Sequence, residues 1–175
     1  MTRSVLLLRA VAVNGRNSVP MARLCVLLEP RLGEVSTYIA SGNIICADPD
    51  DPDTTCAEVR ALIAAEFGVD TPVIHRTHGE LVSSIAAQPF EGEVEKLLHA
   101  MFLERQPPAG VVDGLRERLV PGERIALVGK DLWIDYAADG VHGTKLTTPV
   151  LDRALGVSGT ARNLRTVRRL IELTA

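Results

Sequence analysis

The residues alone predict an α+β protein assembled from two β-α-β-β-α halves, and three observations lead there. Short apolar strand segments and stretches of helical periodicity follow one another in the same order twice along the chain. In each half, two strand segments are separated by a glycine-bearing turn, the pattern of a hairpin. Capping-box spacings of Thr and Glu mark two helix starts in the first half.

The first half opens with a strand at residues 3–9, apolar and closed by a Gly/Asn turn. Pro20 suits the first turn of a helix whose apolar face is Met21, Leu24, Cys25 and Leu28, and Gly33 stops it. Strands at 35–40 and 43–47 flank Ser41-Gly42, and the acidic, proline-punctuated 48–53 is a surface loop. Thr55 with Glu58 caps the next helix, which buries Val59, Leu62, Ile63 and Phe67. A strand at 72–76 follows, and Thr77 with Glu80 opens a helix carrying Leu81, Val82 and Ile85.

The second half repeats the order after the charged residues 91–96. A strand at 97–104 leads through Pro107-Pro108 to a helix with Val112, Leu115 and Leu119. Strands at 124–128 and 132–137 meet at a tight Gly129-Lys130-Asp131 turn. The loop 138–148 then precedes a short helix from Pro149 and a terminal helix capped by Thr160. The element order is that of a duplicated, ferredoxin-like split β-α-β unit, with halves at 1–92 and 93–175 forming one cooperative body. The second half is expected to lack a fourth strand, and mixed sheets with helices on one face are expected.

With 46% hydrophobic residues, 23% charged ones and a net charge of −3, the 175-residue chain reads as an ordinary globular protein. A mildly acidic body is not drawn to polyanions. Arg9 and the polar 14–17 break the resemblance of residues 5–13 to a signal peptide, and no segment reaches the roughly 20 apolar residues that span a bilayer. Cys25, Cys46 and Cys56 form neither a disulfide framework nor a zinc knuckle, so a reducing cytoplasm is expected and the thiols read as small buried hydrophobes. The acidic loop lacks calcium-loop spacing. His75-x-x-His78 has no third ligand, and the glycine loop fails P-loop order because Thr144 precedes Lys145. No metal and no cofactor are expected.

Four polar clusters punctuate the elements. They comprise Arg9 with Asn17; Ser41 with Asn43; His142 with Lys145; and Thr160 with Arg162 and Asn163. Taken singly, each has a turn or cap explanation. Together they offer fixed cations, backbone donors near glycine and helix-start N–H groups, the parts of an oxyanion or phosphate site. An arginine in a first helical turn works against the dipole unless an anion offsets it, so Arg162-Asn163 reads as an anion seat capped by Thr160. His142 is the best-placed residue for proton transfer, although no catalytic residue is assigned.

These motifs, in order, resemble the uncharacterised bacterial family known as domain of unknown function 1697 (DUF1697). The resemblance runs over residues 6–24, 38–45, the loop ending at Lys145-Leu146, and 160–167. It implies a two-part ferredoxin-like fold with no established activity, and it carries over Arg9, Asn17, Ser41, Asn43, Lys145, Arg162 and Asn163. The chain departs from the family pattern at Ala10, Ala12, Asn14, His142, Leu164 and Arg165. A site for a small anionic ligand, catalytic or not, ranks first. A regulatory or protein-interaction domain ranks second. A nucleic-acid module ranks third, because strand aromatics are confined to Tyr38, Trp133 and Tyr136.

Overall fold

The computed structural model describes residues 2–9, 15, 16 and 18–175. Contacts divide the chain into two compact units, Met1–Val82 with Arg169–Ala175, and Ser83–Arg168.

In the first half, β1 (Arg3–Leu8), α1 (Met21–Leu32), β2 (Ser36–Tyr38), β3 (Asn43–Ala47), α2 (Pro52–Phe67), β4 (Val73–Thr77) and α3 (His78–Ala87) follow in order. The sheet runs β2-β3-β1-β4. β1 and β2 are parallel to one another, but β3 is inserted between them, so every neighbouring pair is antiparallel. The expected mixed sheet is therefore corrected to an antiparallel one. Side chains alternate across the strands. Leu6, Leu8, Ile44, Cys46 and Val73 point into a core with Leu24 and Leu28 of α1 and Val59 and Ile63 of α2. Each such Leu or Ile contributes about 1.5–3 kcal/mol by burial. The alternate residues Val5, Leu7, Ile45 and Ile74 are buried as well.

The second half consists of β5 (Leu98–Leu103), α4 (Val111–Arg116), β6 (Arg124–Val128), β7 (Asp131–Asp135), α5 (Thr148–Leu155), β8 (Gly159–Asn163) and α6 (Leu164–Thr174). Its sheet runs β6-β7-β5-β8, the first sheet's order repeated, and is antiparallel throughout. Met101, Leu103, Leu132 and Ile134 share a core with Val112, Leu115, Leu151 and Leu155.

Three further expectations are corrected. The second half does have a fourth strand: β8 pairs with β5 from His99↔Asn163 to Leu103↔Gly159. Thr160 and Arg162 belong to it, so the terminal helix starts at Leu164 and its cap is Asn163, whose Oδ1 accepts from Thr166 N at 2.9 Å. Threonine favours a strand as readily as a cap, and pairing with β5 decides between them. In the first half, α2 begins at Pro52 under Asp51, which accepts from Thr54 N at 3.2 Å, so Thr55 lies inside the helix. A proline in the first turn and an aspartate before it outweigh the Thr-Glu spacing.

Candidate functional site

Arg9 leaves the end of β1 with its backbone clamped. Its N–H donates to Thr71 Oγ1 at 3.0 Å, and the same hydroxyl donates to its carbonyl at 2.7 Å. One residue earlier, Leu8 N donates to Gly42 O at 2.9 Å, bringing the β2–β3 hairpin to the same sheet end. Asn43 is fully buried there, and its amide donates to Tyr38 O at 2.9 Å and Ser41 Oγ at 3.2 Å. Those bonds close the hairpin, so Asn43 holds the turn. Arg9, Ser41 and Asn43 thus meet at one end of the first sheet, while Asn17 lies outside the described residues.

Ile39 in this hairpin has φ 52°, the one non-glycine residue with positive φ among those described. A β-branched side chain is strained in that region by about 1–3 kcal/mol. Ile39 is also 51% exposed. Beside it a groove of about 300 Å³ is lined by Val19, Pro20 and Met21 at the start of α1 and by Thr37, Ile39 and Ala40. The N-cap of α1 is Pro20, which has no side-chain acceptor, and its first turn contains no acidic residue. Partial positive charge at that helix start therefore faces the groove region without a local carboxylate.

In the second half, Arg162 is a strand residue and 7% exposed. Residues two apart share a face, so its guanidinium reaches Thr160 Oγ1 at 2.7 Å and also donates to Ala161 O at 2.9 Å. Burial pushes its pKa down to about 10. The first half repeats the arrangement. Arg76 is 2% exposed in β4, donates to His75 O at 2.9 Å, and directly precedes the helix cap Thr77. Arg76 pairs with Val5 as Arg162 pairs with Ala100, each the third residue of its strand. An arginine thus recurs at one register in the two halves, with its guanidinium bonded to its own strand in each.

His142 and Lys145 are exposed in the β7–α5 loop, with Thr144 Oγ1 accepting from Leu146 N at 3.1 Å. Gly140 of that loop lies beside Leu97 at the start of β5, and Asn163 pairs with His99 nearby, so these candidates share one end of the second sheet. Thr160, opposite Phe102, lies nearer the other end.

His75 and His78 turn to separate partners. His75 Nε2 meets Asp48 Oδ1 at 2.8 Å, and His78 Nδ1 lies 3.1 Å from Ile171 O and Thr174 Oγ1. No group of three His, Cys, Asp or Glu able to hold a metal occurs among the described residues. Burial, foremost, pushes the Cys46 thiol up, away from thiolate chemistry. The arginines of α6 face carboxylates: Arg165 and Arg168 meet Glu95, and Arg169 meets Glu172.

Sequence reasoning missed Ile39, Thr71 and Arg76. Nothing in the residue type marks Ile39, since only its backbone angle is unusual. Thr71 lies 62 positions from Arg9, beyond any local pattern. Arg76 did carry a signal, because an arginine directly precedes a helix-capping residue in both halves.

A solved structure, the conserved bacterial protein SP0830 from Streptococcus pneumoniae, matches with a TM-score of 0.75 at 19% identity over 99% of both chains. At that identity the likeness is one of fold. No curated protein matches. No helix among the described residues is long and apolar enough to cross a membrane. The model of the family described as a protein of unknown function, DUF1697, matches residues 1–133. With three quarters of its length inside that match and the duplicated fold beneath it, the chain belongs to the DUF1697 family.

Proposed function

We propose that the protein binds a small organic anion, an apolar body ending in a carboxylate or phosphate, at the hairpin end of the first sheet. What supports it is the contrast between two equivalent hairpins. Leu8 N donates to Gly42 O in one half and Leu103 N to Lys130 O in the other, both at 2.9 Å. Yet Val128 and Asp131 are joined by residues 129–130 alone, with glycine supplying the positive φ, whereas Tyr38 and Asn43 are joined by residues 39–42 with strained Ile39 among them. Two extra residues, a strained backbone and the groove occur together in the first half. Strain of this kind persists where surrounding structure and function hold it.

The chemistry follows from what surrounds the groove. Val19, Pro20, Met21, Ile39 and Ala40 offer an apolar wall, the α1 start offers N–H groups, and clamped Arg9 stands at the same sheet end. A single-strand nucleic-acid platform has less support. Trp133 and Tyr136 are buried, and the α6 arginines already face glutamates.

The test is a thermal-shift series with inorganic phosphate, benzoate, hexanoate and the neutral amides of those acids. At a hundred times its dissociation constant an anion stabilises the fold by about 2.7 kcal/mol, roughly 5–10 °C for this size of chain. Acids should shift the wild type, amides should not, and Arg9→Gln should lose the response. Equal responses to acid and amide, or an undiminished response in Arg9→Gln, would overturn the proposal.

A further inference from the structure

Ile39 carries two costs in the free protein, and both fall at the groove beside α1. Its φ of 52° is a left-handed conformation that a β-branched residue rarely adopts. Its side chain is 51% exposed, so about half of its apolar surface gains nothing from folding. Neither cost is forced by the turn. Gly42 in the same turn has φ 88° and Gly129 in the second-half hairpin has φ 60°, so glycine holds those left-handed positions without a side chain. Glycine or asparagine at position 39 would hold the same backbone with less strain. What the isoleucine adds is a branched apolar side chain on the groove wall.

The described residues lining that groove are Val19, Pro20, Met21, Thr37, Ile39 and Ala40, and none carries a charge. A charged group inside it would lose water without gaining a partner, so the groove suits the apolar part of a ligand alone. Val19 is only 2% exposed and Met21 is half-buried, which leaves Ile39 as the large hydrophobic side chain open to a ligand there. The volume of about 300 Å³ is room for about ten waters at about 30 Å³ each, enough for a short hydrocarbon tail.

Building on the anion reading above, we propose that Ile39 selects the ligand. Its left-handed backbone holds the side chain out over the groove, where it covers the carbon chain of an acid with a single anionic end. The acid is short, about four to six carbons, to match the groove. Burial of Ile39 under that chain offsets the two costs it carries in the free protein.

The experiment is an amide-shift titration of the whole protein with butyrate, pentanoate, hexanoate and octanoate, with adipate and hexanamide as comparators. Each methylene up to hexanoate should tighten wild-type binding by about fourfold, the worth of one buried CH₂, and octanoate should gain little more. Adipate, whose second carboxylate would lie in the groove, should bind more weakly than hexanoate. Ile39→Asn and Ile39→Gly tolerate the left-handed backbone and remove the apolar side chain. Both should weaken hexanoate by about four- to tenfold and shrink the methylene steps, whereas Ile39→Leu should keep them. Without acid, Ile39→Gly should melt no lower than the wild type, because strain is relieved. An isoleucine with only a structural role would make that variant melt lower.

Undiminished methylene steps in Ile39→Asn, a wild type indifferent to chain length, or adipate bound as tightly as hexanoate would each overturn the inference. So would equal steps continuing to octanoate, or a lower melting temperature in Ile39→Gly. Failure of the anion reading looks different: hexanamide would bind as tightly as hexanoate, whatever Ile39 contributes. Acid-specific binding without chain-length dependence would leave the anion site standing and remove the role of Ile39. A wild type that binds none of the acids overturns both.

Discussion

His99 shows how one residue's surroundings set its chemistry. It stands edge-on to Tyr136 with ring centroids 5.0 Å apart, and its Nδ1 lies 3.2 Å from Leu97 O, which identifies that nitrogen as the donor. Burial, its largest influence, holds the imidazole below the usual 6.5. An unfolded chain takes up a proton there that the folded chain resists. Its contribution to stability is therefore full above about pH 6.5 and is lost as the pH falls below that value. Comparing the unfolding free energy of wild type and His99→Gln across that range isolates the effect. The wild type should lose stability more steeply on acidification, and parallel curves would show that burial of His99 has no such consequence. Arg162 follows the same logic with a different outcome, since a guanidinium stays charged at neutral pH even when lowered to about 10. Its bonds to Thr160 and Ala161 offset part of the cost of that burial.

At the scale of elements, the junction of β8 and α6 departs furthest from expectation. Asn163 ends the strand and caps the helix at once, so Asn163→Ala should cost about 1 kcal/mol in chemical denaturation. Thr160→Ala should not show the helix-fraying signature of a lost cap. Gly159 admits β8 against β5: a Cβ there would meet Leu103 Cδ2 at 2.7 Å and Phe102 O at 2.9 Å. Gly159→Ala should destabilise by about 1–3 kcal/mol, and a neutral result would mean that the strand end shifts freely. Much of the element order was legible because apolar period and turn residues are local signals. Gly33 ends α1, Thr77 caps α3 with Glu80, and the Gly129-Lys130 turn joins β6 to β7, all as the residues indicate. β8 was not legible, because the short 159-GTARN-163 owes its strand to pairing with residues some sixty positions away. The candidate site was half legible for the same reason. Arg9, Ser41 and Asn43 advertise themselves as polar punctuation, but their meeting depends on Thr71 and on the Leu8–Gly42 bond.

Across the whole molecule the plan is a repeated four-stranded unit whose copies differ most informatively at one hairpin. The last turns of α6 group with the first half, and Ile171 O and Thr174 Oγ1 both lie 3.1 Å from His78 there. A fragment of residues 1–92 lacks those partners and should be poorly folded or aggregating, as judged by a broad, non-cooperative melt. A sharply melting, monomeric fragment would show that the first half needs nothing from the C-terminus. Divergence between the hairpins is the basis of the functional proposal, and it predicts where a ligand acts. The most direct measurement is an amide chemical-shift map of the intact protein titrated with benzoate against benzamide. Shifts should arise for the acid only, concentrated at residues 19–23 and 37–43 and at Arg9, with the equivalent turn at Gly129 and Lys130 unmoved. Identical responses to acid and amide, or acid-specific shifts centred elsewhere in the chain, would contradict the assignment of the anion site to the first-half hairpin.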